Sequence, residues 1–585
     1  MLMLRVLQVL IVVALAGFCA LAQAQQPPVR TETAEQPATG TIKGRVVNEN
    51  GQPVQGALVQ IRAIGSNGQG QIVTTDRGGE FRVGSLDRAT YIVSASMPAY
   101  TPAPRDPATP APTYHIGDTV NLTLIKGGVI TGNVTDAAGD PVVAVTVRVQ
   151  MVRDSNGRRQ PNGFSRQRTT DDRGAYRIYG LPAGTYVVVT GPPSMISSPE
   201  PTAYDGDAPT YAPSSTRDSA TEISVRAGEE VSGVDIRYRA EQGRVISGVV
   251  NTAPDSAFNV VLNASGDAGA PFSTTFYQGP GNRDFAFNGI ADGDYQLMVM
   301  SYGRNDSRNV SMALKRVTVK GADVTGIELT TLPLGTVSGR VVLEELKTPE
   351  CTDKQRPQFN EVVVAGWHND NEAAKETPPS LWSIGAPAPA DADGNFVLRN
   401  LAPGEYYFVT RSPAKYWYLQ SISFGAPPAN AAAARPGRSS DATLVWTKIK
   451  AGDQLSGLTI TLAQGAASLR GQIVPGEGVQ APEKLFLYLV PSEREKAEAV
   501  LRYFATPVSP DSRIAVNNIP PGRYWILAQT FTEDGVTPIT KLRLPHETET
   551  RARLRRDAEA AKTELEFKPC QNVTDFQLSL KPANN

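Results

Sequence analysis

The sequence predicts an all-β chain, a tandem array of about five β-sandwich domains with short helices in the last. Three observations predict it: one turn phrase recurs at domain-sized intervals, a glycine-centred strand opens each copy, and a related strand closes it. The turn reads "GLPAGTYVV" from Gly180, "GIADGDYQL" from Gly289, "NLAPGEYYF" from Asn400, "NIPPGRYWI" from Asn518 and, more weakly, "SLDRATYIV" from Ser85. A bulky residue sits five positions before the Leu or Ile of each turn, and a Tyr five positions after it. The sets are Phe81–Leu86–Tyr91, Tyr176–Leu181–Tyr186, Phe285–Ile290–Tyr295, Phe396–Leu401–Tyr406 and Ile514–Ile519–Tyr524. The tyrosines lie 95, 109, 111 and 118 residues apart, too far for a short-period solenoid and right for whole domains.

The opening strands are "TIKGRVV", "VITGNVT", "VISGVVN", "TVSGRVV" and "SLRGQIV", centred on Gly44, Gly132, Gly248, Gly339 and Gly471. Apolar residues alternate around each glycine, the period of a half-buried strand. Gly-containing turns such as "TTDRGGEF", "TTDDRGAY" and "DADGNF" then read as hairpins. In the recurrent turn Pro suits the first corner, Gly404 and its equivalents suit a positive φ, and the Leu or Ile with the Tyr plugs the end of a sandwich. Closing strands read "VSGVDIRY", "VTGIELTT", "LSGLTITL" and "VTDFQLSL", with a divergent "TVNLTLIK" in the first copy.

These boundaries give a signal peptide over 1–24, a linker over 25–39, and sandwich repeats over 40–126, 127–242, 243–334, 335–466 and 467–585. The leader has Arg5, an apolar run and the small-residue cleavage site "AQA" ending at Ala24. Phe18 before Cys19 argues against a lipobox. No later segment is apolar enough to span a bilayer. The expected location is therefore outside the cytoplasm: periplasm, cell surface or medium. Repeat 5 carries two helical stretches, "PSEREKAEAVLRYFA" and "HETETRARLRRDAEAAKTELEF". In the second, Leu554, Ala558, Ala561 and Leu565 share one helical face, and "RARLRR" reads as solvated. Junctions such as "LIKGGVI" are short, so the array is expected to run end to end over roughly 150–200 Å.

The chain has 585 residues, 52 Gly and 45 Pro, and a net charge of −1. That charge points away from nucleic-acid partners. Its three histidines, His115, His368 and His546, form no metalloprotease motif, and nucleophile-elbow, phosphate-loop and dinucleotide glycine signatures are missing. No catalytic residue, metal ligand or cofactor is assigned, and "DADGNF" at Asp391 reads as a hairpin turn rather than a calcium loop. After leader cleavage Cys351 and Cys570 remain; a bond between them and two free thiols both stay open. Four of the five tryptophans, Trp367, Trp382, Trp417 and Trp446, lie in repeat 4. With Tyr416 and Tyr418 they are the candidate ligand-binding residues, because exposed rings stack on sugars and anchor proteins. Packing beneath the long insertion of repeat 4 is the competing reading. Tyr204 and Tyr211 lie in a Pro- and Ser-rich loop of repeat 2.

"GRVVNENGQPVQGALVQI" with "TTDRGGEFRVGSL", and "GNVTDAAGDPVVAVTVRV" with "TTDDRGAYRIYGLPAGTYVV", resemble the carboxypeptidase regulatory-like domain, a seven-stranded prealbumin-like β-sandwich. Repeat 4 matches in its second half; repeats 3 and 5 are degenerate. The resemblance implies the fold and leaves the function open, since such domains accompany peptidases, receptors, adhesins and starch-binding-like modules. It also raises a Lys–Asn isopeptide cross-link, but Arg45, Asn133, Arg340 and Gln472 hold the relevant position, and arginine cannot attack an amide. The expected function is an exported, non-catalytic binding or scaffolding protein with carbohydrate as first ligand. The alternative is a structural or adhesive cell-envelope rod; a hydrolase with an unrecognised carboxylate pair stands third. Glycans or envelope proteins are the expected partners.

Overall fold

The computed structural model describes residues 39–66, 70–104, 112–159, 164–191, 195–196, 203–265, 273–303, 310–352, 354, 356–368, 387–411, 414–425, 446–474, 485–508, 512–530 and 548–580. The leader and nearly all of the linker lie outside them. The described strands form ten sheets that pack in pairs around five large apolar clusters.

Repeat 1 shows the plan. Its strands are β1 (Thr39–Val47), β2 (Leu58–Ala63), β3 (Gln71–Thr74), β4 (Glu80–Asp87), β5 (Tyr91–Ser96), β6 (Tyr100–Pro102) and β7 (Thr119–Lys126). One sheet has the order β4-β1-β7-β6 and the other β3-β2-β5. The opening strand β1 lies between antiparallel β4 and parallel β7. The same arrangement recurs around Gly128–Thr135, Arg244–Asn251, Gly335–Glu344 and Ala467–Val474.

That arrangement explains the opening glycines. A Cβ on Gly44, Gly132, Gly248, Gly339 or Gly471 would sit 1.9–2.1 Å from a backbone oxygen of the closing strand, supplied by Val120, Val234, Ile327, Leu458 and Phe576. At Gly44 and Gly339 the ring of Phe81 or Phe396 covers the vacant side as well. The closing phrases are the other half of this contact. Gly233, Gly326, Gly457 and Asp575 lie at positive φ immediately before the residue whose carbonyl presses inward.

The recurrent turn meets the sequence expectation of positive φ at Gly293, Gly404 and Gly522, with φ of 153°, 155° and 145°, and adds a second positive-φ position. Left-handed backbone falls before the Leu or Ile, at Ser85, Gly180, Gly289, Asn400 and Asn518, with φ between 55° and 71°. Each is a bulge that turns the following Leu or Ile into the core, where all five are buried. Gly404 has φ +155°, and its larger constraint is space: a Cβ would lie 1.9 Å from His368 Nε2. Each tyrosine after the turn then donates its hydroxyl to the carbonyl four residues back. Tyr91 bonds Asp87 at 2.7 Å, Tyr186 bonds Pro182 at 2.6 Å, Tyr295 bonds Ala291 at 2.8 Å, Tyr406 bonds Ala402 at 2.9 Å and Tyr524 bonds Pro520 at 2.9 Å. The plug is therefore also a hydrogen-bonded corner.

The "DADGNF" turn closes as a hairpin: Asp391 Oδ1 accepts the amides of Asp393 at 3.0 Å and Asn395 at 2.8 Å. Asp76 and Asp171 do the same in repeats 1 and 2. Repeat 5 corrects two helix expectations. "PSEREKAEAVLRYFA" forms two 3-10 turns, Arg494–Lys496 and Val500–Arg502, then a strand from Phe504 to Pro507. A single long helix would pull Phe504 off the edge of the sheet. Thr548–Ala561 is an α-helix with Leu554 and Ala558 buried, but Leu565 belongs to the strand Glu564–Phe567. The arginines are not all solvated. Arg551 is buried against Glu498, and Arg555 lies 5.1 Å over the Trp525 ring.

Neighbouring repeats meet through these turns. Asn400 Oδ1 accepts the Val310 amide at 2.9 Å, and Ala402 joins Met298, Val310, Met312 and Leu334 in an apolar patch between repeats 3 and 4. Gly289 passes so close to Asp207 of repeat 2 that a Cβ would be 2.5 Å from its carbonyl oxygen. Met195–Ile196 of repeat 2 pairs with Ser273–Gln278 of repeat 3. The turn of repeat 1 departs from the end-to-end expectation. It returns to repeat 4, where Asn360 Nδ2 donates to the Arg88 carbonyl at 2.7 Å and Thr90 Oγ1 to the Glu361 carbonyl at 3.0 Å.

Gly339→Ala places a methyl against the Leu458 carbonyl and should destabilise repeat 4 by about 1–3 kcal/mol; denaturant unfolding of the full chain checks this. The corner tyrosines predict alkaline sensitivity. Burial raises the phenol of Tyr91 and pushes that of Tyr295 up to about 12. A folded phenol above its unfolded value of about 10 contributes stability that is complete below that pH and is lost as pH rises through the folded value. Between about pH 10 and 12, tyrosinate absorbance should appear together with loss of β circular dichroism. Ionisation of all 19 tyrosines, the buried corner phenols included, in a fold that keeps its signal contradicts the buried corners.

Candidate binding surface and inter-repeat clamp

The aromatic residues singled out in repeat 4 divide into two groups. Trp367, on the strand Val363–His368, pairs across the sheet with Tyr407 on Gly404–Arg411. Their rings stack with centroids 6.3 Å apart, and Trp446 meets Tyr407 edge-on at 5.1 Å. Alternation explains the placement. Tyr406 points into the core, so Tyr407 points outward with Trp367. Trp367 is 37% exposed, and Tyr407 and Trp446 are half-buried. The result is a cluster of three rings on the outer face of one sheet, with Trp367 and Tyr407 near-parallel and Trp446 standing across them. Tyr407 was not among the candidates, although its position next to the plug tyrosine carried the signal.

Tyr416, Trp417 and Tyr418 do not join that cluster. Trp417 is 1% exposed and belongs to the core of repeat 4, which corrects its reading as a ligand-binding residue. A side chain of this size at a strand start fills the end of the sandwich. Its carbonyl and that of Ala414 accept from Asn518 Nδ2 of repeat 5, at 2.5 and 3.0 Å. Tyr416 has φ 69°; its carbonyl accepts the Gly465 and Ala466 amides, and its hydroxyl accepts from Asn572 Nδ2 at 2.9 Å. Lys354 Nζ lies 4.9 Å from its ring centroid. Burial raises the Tyr418 phenol, with Arg502 of repeat 5 pulling the other way. These three residues serve the seam between repeats 4 and 5. Trp382 lies outside the described residues.

The seam is locked covalently. Cys351 and Cys570 form a disulfide with Cα atoms 5.6 Å apart, joining positions 219 residues apart in sequence. Gln464 Nε2 donates to the Cys351 carbonyl at 3.1 Å, and the Cys570 amide donates to the Gly465 carbonyl at 2.9 Å. Elsewhere, Tyr211 is buried in repeat 2, and Tyr204 donates to the Val143 carbonyl at 2.8 Å, so both brace their own repeat. Among the described residues, no group of three His, Cys, Asp or Glu side chains could hold a metal ion, and no helix is long and apolar enough to cross a membrane.

Closing a loop of this length is worth up to roughly 5 kcal/mol in the chain-entropy model. Non-reducing peptide mapping should recover Cys351 linked to Cys570. Reductant should lower the unfolding transition of repeats 4 and 5 while leaving repeats 1–3 unchanged.

Residues 41–124 match the model of the carboxypeptidase regulatory-like domain. No curated protein matches the chain. Among solved structures, the Bacillus anthracis TIE protein is 14% identical over 50% of this chain and 51% of its own, with a TM-score of 0.14. The minor pilin GBS52 of Streptococcus agalactiae is 15% identical over 35% of this chain and 98% of its own, with a TM-score of 0.19. The shaft pilin SpaA of Lactobacillus rhamnosus GG is 14% identical over 34% and 98%, with a TM-score of 0.16. Scores this low carry no argument about function. The match to the carboxypeptidase regulatory-like domain falls on the first sandwich of the array, residues 41–124.

Proposed function

We propose that this chain is an exported, non-catalytic structural or adhesive protein of the cell envelope. The observation that carries this reading is the seam system: turns of successive repeats dock on other repeats, and a disulfide clamps the last two. Such contacts hold surfaces in fixed relation, which is the work of a scaffold. The disulfide and the leader agree with export, because disulfides persist in oxidising compartments. Envelope proteins are the expected partners. Fractionation should recover the mature protein from the envelope or medium, and deletion should change adhesion or envelope integrity. Turnover in a hydrolysis screen would overturn the non-catalytic reading.

The cluster of Trp367, Tyr407 and Trp446 favours a second reading, carbohydrate binding. The apolar C–H face of a sugar would pack on such rings by the same burial of apolar surface as other aromatic contacts. On a glycan array, the wild-type chain should bind and Trp367→Ala should bind at least about tenfold more weakly, a loss of roughly 1.4 kcal/mol. A silent array leaves the scaffold reading alone.

A further inference from the structure

The sheet face that carries Trp367, Tyr407 and Trp446 continues beyond the rings. Its strands run in the order Ala388–Pro389, Val363–His368, Gly404–Arg411 and Thr447–Ile449. Alternation sends Val363, Ala365 and Trp367 to that face from one strand, and Glu405, Tyr407, Val409 and Arg411 from its antiparallel neighbour. Register sets them in rows. Trp367 stands opposite Tyr407 and Ala365 opposite Val409; Val363 lies between Arg411 on one side and Pro389 on the other. Four residues of strand separate Tyr407 from Arg411, about 13 Å.

We propose that this face is one elongated site for a carboxylate-bearing oligosaccharide, with the rings packing on one sugar and Arg411 holding a carboxylate further along the same glycan. The proposal rests on the carbohydrate reading above and names the class of glycan. Charge selects that class. Of the charged groups these strands place on the face, Arg411 and Lys448 are cations and Glu405 is the one carboxylate. Glu405 and Lys448 stand opposite each other at the ring end, so their charges offset. Arg411 is exposed at the other end, and its guanidinium makes no hydrogen bond or ion pair with a described residue. Glu361, two residues before Val363, is buried and engaged by Arg88 at 3.9 Å, so it does not neutralise Arg411.

The rest of the face fits an extended ligand. Ala365 and Val409, both half-buried, leave an apolar floor between the rings and Arg411. The face ends at Val363, which is 1% exposed where repeat 1 docks. There a Cβ on Gly65 would sit 2.3 Å from Pro389, and Thr90 reaches the Glu361 carbonyl. Repeat 1 therefore bounds the row on its Pro389 side and leaves the Arg411 side open. A guanidinium stays charged at any working pH and presents paired N–H donors that match the two oxygens of a carboxylate. One sugar ring does not reach both the aromatic cluster and a cation about 13 Å away, so the ligand is an oligosaccharide. A glycan that reaches both gains from each contact without a second association event.

The test uses the full chain and a panel of uronate-bearing oligosaccharides, each beside its carboxyl-reduced, neutral counterpart. The wild-type chain should bind acidic members, and carboxyl reduction should weaken binding by about tenfold or more. Added salt should weaken the acidic members and spare the neutral ones, because an exposed ion pair is screened. Arg411→Gln should lower the acidic members to the level of their neutral counterparts and leave the neutral ones unchanged. Arg411→Lys should recover part of the loss, since it keeps the charge without the fork. Trp367→Ala should weaken both forms alike. Circular dichroism confirms that each variant keeps its β signal, as expected for exposed positions. Equal binding of acidic and neutral forms, with both weakened in Trp367→Ala, keeps the carbohydrate reading and overturns the acidic site. Discrimination that survives in Arg411→Gln overturns the assignment of Arg411. A panel silent in both forms overturns this site together with the carbohydrate reading.

Discussion

The contact on which the whole array depends is a backbone carbonyl pressed against an opening-strand glycine. It occurs once in each repeat, between parallel first and last strands, and leaves no room for a Cβ. Parallel pairing brings the two ends of a repeat to the middle of one sheet, so the repeat closes only when its last strand arrives. The positive-φ residue in four closing phrases tips the carbonyl inward, and an aromatic ring from the hairpin strand covers the glycine in at least two repeats. Every other recurrent feature attaches to this frame. The bulge before the turn inserts a Leu or Ile, and the tyrosine hydroxyl ties the returning strand to the turn.

The same turn that seals each sandwich also meets the neighbouring repeat. Asn400 and Asn518 combine the two tasks: their left-handed backbone makes the bulge, and their side-chain amides reach across the seam. Asn tolerates that conformation better than most residues and brings hydrogen-bonding groups with it. Where Gly stands at this position, as at Gly289, the neighbour approaches by backbone instead. Repeats 4 and 5 add a disulfide, and the aromatics around Tyr416 and Trp417 pack into that joint. Among the described aromatics of repeat 4, Trp367, Tyr407 and Trp446 form the cluster on the outer face of a sheet.

The repeat unit was legible in the sequence because its constraints are local or stereochemical. A glycine required by a close carbonyl, an Asp that caps a hairpin and a tyrosine five residues after a buried Leu recur whatever the loops do. The first glycine and the last strand are about a hundred residues apart, yet each leaves its own signature. Alternation likewise gave most strands. It misled at "PSEREKAEAVLRYFA", where helix-forming residues are held as 3-10 turns and an edge strand by the sheet beneath them.

What the sequence by itself determined is the repeated sandwich and its buried plugs. Tertiary structure decided how the sandwiches meet. Cys351 and Cys570 could be bonded or free until two repeats were docked. Trp417 and Trp367 are equally aromatic, and only packing sends one into a core and the other to the surface. Arg88 and Glu361 are unremarked charges in two distant turns, and nothing within either turn implies the other. Contacts between repeats depend on relative orientation, which arises from many weak surface complementarities spread along the chain, whereas each sandwich is specified by a few strong exclusions.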